Sequence, residues 1–233
     1  MESQALALLP LWYAAFLLSL TCHEAAHAFV AHRGGDDTAY QAGQVSLNPW
    51  PHIRREPVGT VAFPLITFFL NGWMMGWASA PYDPWWESRH PRRAAAMSAA
   101  GPAANGLLFL AAFALLKSGL AAGWWTPLPQ SSLALDHLVQ PAASAPSFVE
   151  AIARLLSVLF CLNLILGVFN LIPVPPLDGV SVLAGLVAPF RAFYQRVRGY
   201  PALGLIGLII AWRVSGPILN PILGRAVTLL LYS

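Results

Sequence analysis

The motif His-Glu-Ala-Ala-His at residues 23–27 lies inside an apolar segment that extends from about Leu6 to Ala31. A helix of roughly 20 apolar residues is long enough to span a bilayer, so this segment predicts a transmembrane helix. Ionisable side chains at membrane depth are energetically costly and indicate a functional site. Because His23 and His27 share one face of a helix, they can bind one metal ion, with Glu24 beside them as a general base.

The overall composition excludes an ordinary soluble domain. Hydrophobic residues make up 57% of the 233 residues and charged residues only 10%, whereas soluble domains carry roughly a quarter of charged residues. The chain is therefore expected to be a multi-pass protein of the lipid bilayer. The net charge of +3 comes from loops, so it bears on membrane topology and does not indicate nucleic-acid binding. Because the first apolar segment continues directly into the motif, we expect a retained helix and no cleaved signal peptide.

The pattern of apolar segments predicts an all-α polytopic membrane protein, a bundle of roughly four to five spans with a small β-element. Besides the first segment, spans are predicted at residues 94–117 and 149–171. The alternation of polar and apolar residues over Gln44–Leu47 predicts a short strand. Residues 118–147 contain no lysine or arginine, so we expect them to be extracytoplasmic and the least regular part of the chain.

Two apolar stretches leave alternatives open. Arginines flank Val58–Ala78 on both sides, and basic loops favour the cytoplasm, so this stretch is predicted to enter the membrane and return. The alternative is a true span with one basic loop outside. Residues 200–232 can form one long kinked helix or a hairpin. We expect a single membrane-embedded domain over residues 1–233, with its catalytic core at about 6–185.

Asp178 is the candidate for a third metal ligand. A catalytic zinc site requires three protein ligands and one open position, and the two histidines supply two of them. Asp178 is the only acid after Glu150, and it follows a proline-rich stretch that interrupts the helical pattern. Two segments with the same expected direction across the membrane end at the motif and at Asp178. Both segments therefore deliver their polar side chains to the cytoplasmic half of the bilayer.

Two asparagines also lie within apolar segments. Asn105 and Asn170 each need a hydrogen-bonding partner in such surroundings. We expect them to position the substrate backbone or to stabilise the oxyanion, and hydrogen bonding between helices is the alternative.

The chain resembles the site-2 protease family of intramembrane zinc metalloproteases, in its compact bacterial branch without a PDZ or CBS domain. The resemblance depends on three motifs in order: His23-Glu24-x-x-His27, Gly101-Pro102-x-x-Asn105 and Asn170-x-x-Pro173-x-x-x-x-Asp178-Gly179. One departure is the sequence at residues 78–81, where Ala-Ser-Ala-Pro replaces the family's usual Lys-Pro-Val pattern.

The resemblance implies one Zn²⁺ per chain, bound by His23, His27 and Asp178, and a catalytic role for Glu24 as the base that activates the water on zinc. It also implies that Asn170 and Asn105 assist with the substrate or the transition state. Such an enzyme hydrolyses peptide bonds in or near transmembrane segments of membrane proteins. We expect it to lie in the bacterial inner membrane, with its active site nearer the cytoplasm. The alternatives are a catalytically silent relative that binds membrane partners and a metal-ion transporter.

Overall fold

A computed structural model describes residues 2–143 and 145–232. Its two strands are β1 (Trp125–Pro127) and β2 (Val139–Pro141). Its helices are α1 (Glu2–Arg33), α2 (Thr38–Gln41), α3 (Trp50–Arg55), α4 (Phe63–Asn71), α5 (Pro84–Arg89), α6 (Pro91–Ala121), α7 (Ser147–Asn170), α8 (Asp178–Leu186), α9 (Ala188–Val197) and α10 (Pro201–Tyr232).

Four of the described helices are long and apolar enough to cross a membrane, namely α1, α6, α7 and α10. This number confirms the expected class, a helical polytopic membrane protein. The C-terminal stretch is one continuous helix of 32 residues with Pro217 and Pro221 inside it, and not a hairpin. Helix α6 occupies the centre of the bundle, where α1, α7 and α8 pack against it. Its small residues, among them Ser98 and Gly101, are buried in these contacts.

The stretch that follows α3 folds back on itself. Residues Val58–Asn71 form a helix that begins with a π-helical turn, and it is too short to count among the four candidate spans. Gly72 ends the helix in a left-handed conformation, at φ 76°. The chain then runs extended until the Trp77 amide donates a hydrogen bond to the Gly59 carbonyl, at 3.1 Å. The two ends of the segment 59–77 therefore lie side by side, as the prediction of a re-entrant segment requires.

The strand predicted at Gln44–Leu47 does not form. The Gln44 amide instead donates to the Ala39 carbonyl and closes the turn after α2, at 2.9 Å. The Ser46 hydroxyl accepts a hydrogen bond from the Asn48 backbone amide at 3.0 Å. The Asn48 side chain in turn accepts one from the Trp50 backbone amide, also at 3.0 Å. Such local side-chain bonds to the backbone compete with strand pairing. The prediction was wrong because it relied on the alternation of polar and apolar residues and did not take account of these local hydrogen bonds to the side chains of Ser46 and Asn48.

The small sheet lies in the loop that was expected to be least regular. Strands β1 and β2 pair antiparallel, with Trp125 opposite Pro141. The indole of Trp125 is buried, lies against Gly119 and donates a hydrogen bond from Nε1 to the Leu116 carbonyl at 2.9 Å. The Trp125 side chain therefore attaches the two-stranded sheet to the C-terminal end of α6. Leu138 and Phe160 join the same buried apolar cluster.

Candidate metal centre

Two histidines on α1 converge on one point. His23 and His27 are one helical turn apart, and both are buried. Their Nε2 atoms are 3.0 Å apart, with the two rings nearly perpendicular at 83°. This arrangement follows from the spacing of four residues, which places both side chains on the same face of the helix.

Asp178 completes the group from a distant part of the sequence. It is the first residue of α8, immediately after the irregular segment 171–177 that separates α8 from α7. Its Oδ2 atom lies 3.2 Å from Nε2 of His23, and its Oδ1 atom lies 3.3 Å from Nε2 of His27. The segment carries three prolines, which prevent α7 from continuing and allow the carboxylate to turn inward.

The donor atoms of these three side chains fit a metal ion. Nδ1 of His27 lies 2.7 Å from the Met97 carbonyl; because a carbonyl only accepts, Nδ1 carries a proton, and the neutral ring presents its lone pair at Nε2. The buried Oδ2 atom of Asp178 receives no hydrogen bond. Ligands about 2.0–2.1 Å from zinc in tetrahedral geometry are roughly 3.3 Å apart, close to the observed separations. A cation resolves this convergence of acceptors.

Helix α6 closes one side of the group at Gly101. A Cβ atom at this position would lie against the Nε2 atoms of both His23 and His27. The absence of a side chain therefore lets the α6 backbone approach the imidazoles directly. This is the structural reason for glycine in the Gly101-Pro102 pair of the sequence motif.

Two cavities meet at Glu24. A cavity of about 390 Å³ whose mixed wall includes Glu87 and Arg198, here named the polar cavity, and an apolar cavity of about 790 Å³ both have Glu24 and Asp178 in their walls. Glu24 is buried, one residue from His23 on α1. Glu24 therefore shares the walls of both cavities with the metal ligand Asp178, where a carboxylate can act on water and on a peptide.

The polar cavity carries a charged pair at its wall. Nη1 of Arg198 donates to Glu87 at 2.6 Å, and the phenols of Tyr82 and Tyr194 line the same space. This bond to Glu87 raises the pKa of Arg198. Burial, and then the Glu87 carboxylate, raise the pKa of both Tyr82 and Tyr194. At neutral pH the wall therefore holds two protonated phenols and a fixed ion pair, which are hydrophilic surroundings for water.

The two asparagines singled out from the sequence occupy different places. Asn105 is fully buried, and its Oδ1 atom lies 2.6 Å from Nδ1 of His23, on the far side of the ring from Asp178. Asn170, the last residue of α7, lines the apolar cavity, and its side chain donates back to the Leu166 carbonyl at 3.0 Å. Only Asn170 therefore stands where a substrate could reach it.

Sequence reasoning overlooked two polar residues near the site. Asn163 and Ser19 are both fully buried and are joined to Asn105 by hydrogen bonds. Asn163 could have been found from its spacing, because it lies seven residues, or about two helical turns, before Asn170 on the same apolar helix. Within residues 2–143 and 145–232, His23, His27 and Asp178 form the single group that could hold a metal ion. The ladder of sites expected of a transporter is not found in that part of the chain.

The helical membrane fold, the two histidines and aspartate, and the adjacent glutamate define a membrane-embedded zinc metalloprotease. The chain belongs to Peptidase family M50, whose sequence profile matches residues 12–214. This match confirms the resemblance to the site-2 proteases. Zinc is accordingly its metal, and the chain is a metalloendopeptidase and an integral membrane protein of the bacterial type.

Individual relatives agree with this assignment. YwhC of Bacillus subtilis, named as a predicted zinc metalloprotease, is 32% identical over 98% of this chain and 93% of its own length. Rip2 of Mycolicibacterium smegmatis, named in the same way, is 31% identical over 73% of this chain and 54% of its own length. Rip2 of Mycobacterium tuberculosis is 27% identical over 76% of this chain and 57% of its own length. The chain thus matches about half the length of the Rip2 proteins. No solved structure matched the chain significantly.

Proposed function

We propose that this protein hydrolyses peptide bonds in or near the transmembrane segments of membrane proteins, with one zinc ion bound by His23, His27 and Asp178 and with Glu24 as the general base. The observation that carries the proposal is the position of Glu24, buried beside the metal-ligand group where a polar and an apolar cavity meet. The proposal treats the chain as one membrane-embedded domain whose catalytic core lies at about residues 6–185.

The residues around the group have distinct roles in this reaction. Zinc supplies a positive charge that polarises the peptide carbonyl and lowers the pKa of a bound water to about 7. Glu24 takes the proton from the attacking water and delivers it to the leaving amine. Asn170 faces the apolar cavity, where its amide can hydrogen-bond to the substrate backbone. Asn105 acts on His23 and does not touch the substrate.

The apolar cavity suits a substrate that comes from the bilayer. Helices α4, α7 and α10 contribute to its walls, with Phe63, Leu166 and Trp212 among the lining residues. Helix α10 is also the least buried candidate span, at 17% against 44% for α7. An apolar helix can therefore displace lipid from this side at low cost. Water has a separate route through the polar cavity.

The extended segment that follows α4 is the proposed docking edge for the substrate backbone. Ala78 and Ser79 belong to the walls of both cavities and lie outside any helix or strand. A peptide bond inside a helix is hydrogen-bonded and hidden from attack, so the substrate must become extended. Pairing with an exposed backbone edge stabilises an extended peptide. Because the strand predicted at Gln44–Leu47 does not form, this segment is the candidate edge that remains.

The proposed orientation places the active site nearer the cytoplasm. Arginines cluster in the segments next to the site, including Arg191, Arg196 and Arg198 after α8. The residues that connect α6 to α7 contain no lysine or arginine. Because basic loops remain in the cytoplasm, the metal-ligand end of the bundle faces that side.

The test compares wild type with Glu24→Gln in detergent, with Glu150→Gln as a control for the same chemical change outside the cavities. Zinc content is measured together with cleavage of a panel of labelled single-span peptides. We expect all three proteins to bind zinc and only Glu24→Gln to lose cleavage. Cleavage that survives in Glu24→Gln would exclude Glu24 as the base. Zinc-loaded wild type without cleavage of any peptide would favour a membrane protein that binds partners.

A further inference from the structure

A chain of hydrogen bonds connects the metal-ligand group to buried side chains on three helices, α1, α6 and α7. Oδ1 of Asn105 on α6 lies 2.6 Å from Nδ1 of His23. Nδ2 of Asn105 lies 2.8 Å from Oδ1 of Asn163 on α7, and Nδ2 of Asn163 lies 2.9 Å from Oγ of Ser19 on α1. The side chains of Ser19, Asn105 and Asn163 are fully buried. We name these three residues the polar relay.

Backbone carbonyls fix the direction of the polar relay. The Asn163 amide group lies 2.9 Å from the Leu159 carbonyl; because a carbonyl only accepts, the atom facing it is the NH₂ group. The Ser19 hydroxyl donates to the Ala15 carbonyl at 2.7 Å and so accepts from Asn163. The oxygen of the Asn163 side chain therefore faces Asn105.

The same reasoning determines the proton on His23. Because the Asn163 oxygen accepts, Asn105 must present its NH₂ group to Asn163, and this group also faces the Ser19 carbonyl at 3.4 Å. The oxygen of Asn105 then faces Nδ1 of His23, which must carry the proton. Nε2 of His23 is left with its lone pair directed at Asp178 and at His27.

We propose that Ser19, Asn163 and Asn105 are positioning residues that hold His23 in the tautomer able to bind metal. The proposal depends on the proposed metal-binding role of His23. Partners of this kind orient a ligating histidine and typically change metal affinity 10- to 100-fold when they are removed. His27 needs no comparable relay, because its Nδ1 proton is held directly by the Met97 carbonyl.

The relay makes the histidine pair ready for a cation before one arrives. A neutral imidazole can carry its proton on either nitrogen, and the tautomer with the proton on Nε2 would direct an N–H at the ligand position. In surroundings without water, breaking the relay would leave buried amide groups unpaired, which is costly. The tautomer of His23 is therefore coupled to the packing of α1 against α6 and α7.

The test is a double-mutant cycle in zinc affinity, measured by competition with a chromogenic chelator. We expect Asn163→Leu to weaken zinc binding about 10-fold or more, and Asn105→Leu to weaken it at least as much. Because Asn163 acts through Asn105, the double variant should bind zinc no more weakly than Asn105→Leu alone. A purely structural role would make the two losses add. Ser19→Ala is expected to have the smallest effect, since Asn163 keeps the Leu159 carbonyl.

Ser157→Ala is the matched control for Ser19→Ala. Ser157 is equally buried and also donates to the carbonyl four residues earlier, at 2.8 Å, but it has no bond to the relay. Nitrogen-15 NMR of the zinc-free protein, labelled at histidine and measured at a pH at which the imidazoles are neutral, reports the tautomer directly. We expect the Nδ1-protonated signal of His23 in wild type and Ser157→Ala, and its loss in Asn105→Leu.

The results that would contradict the polar relay differ from those that would contradict the proposed function. If Asn163→Leu fails to fold, the Ser19→Ala affinity and the tautomer in Asn105→Leu still decide. Wild-type zinc affinity in the Asn163→Leu and Ser19→Ala variants, or an unchanged His23 tautomer in Asn105→Leu, would overturn the relay while leaving zinc at the site. A wild-type protein that binds no zinc would contradict the proposed function itself.

Discussion

Replacing Gly101 with alanine should strongly weaken zinc binding through a single added methyl group. The new Cβ would lie 2.5 Å from Nε2 of His23 and also against Nε2 of His27. Ordinary contact begins at 3.4 Å, so the imidazoles or α6 must move by about 0.9 Å. Zinc ligands must keep their distances within about 0.2 Å. We therefore expect zinc affinity to fall at least about 100-fold, which corresponds to about 2.8 kcal/mol.

Gly106→Ala is the matched control for this prediction. Gly106 lies on the same helix, and a Cβ there meets nothing within 4 Å. Chelator competition should show wild-type zinc affinity in Gly106→Ala and the loss only in Gly101→Ala. Thermal unfolding of the zinc-free proteins distinguishes a local clash from misfolding. Equal zinc affinity in both alanine variants would refute the close approach of α6 to the histidines.

Three further predictions concern other parts of the molecule. Trp125→Ala should destabilise the protein by about 3–5 kcal/mol, because its indole fills a buried cluster, whereas the exposed Trp124→Ala should be nearly neutral; thermal unfolding in detergent measures both. Ser79→Pro should reduce peptide cleavage with normal zinc content, whereas Ser79→Ala should retain it; equal cleavage would exclude pairing at this edge. Burial, and then Arg154, lower the pKa of His137 below its usual 6.5. The folded protein therefore protonates this ring less readily than the unfolded chain, and the free energy of unfolding should fall as the pH drops below 6.5. His137→Gln should weaken this pH dependence of thermal unfolding.

The chemistry of the ligands could be read from the sequence even though their proximity could not. A histidine pair at helical spacing and a single acid in the apolar chain after Glu150 leave few candidates for a third ligand. The structure brings His23, His27 and Asp178 together, as the sequence reasoning expected. Such reasoning works because an unpaired charged side chain is costly in a membrane. The few ionisable side chains in apolar segments are therefore expected to contact one another or a metal ion.

Features that depend on contacts between distant elements were harder to predict. The strand at Gln44–Leu47 was lost to local side-chain bonds. The sheet at β1 and β2 depends on Trp125 reaching the end of α6, which no local pattern reveals. Asn105 was expected to act on the substrate, with hydrogen bonding between helices as the alternative, and its side chain bonds to Asn163 of another helix. A sequence shows that a buried amide needs partners and does not show which partners it finds.

The position of Asp178 has a consequence for the life of the protein in the cell. A zinc ion held by His23, His27 and Asp178 would tie the first helix to the start of α8, closing a loop of about 150 residues. Such a cross-link disfavours partly open forms in the way that a long-range disulfide does. Molecules that have not received zinc would open more often and would be degraded sooner by quality-control proteases. Metal supply would then set the abundance of this enzyme as well as its activity.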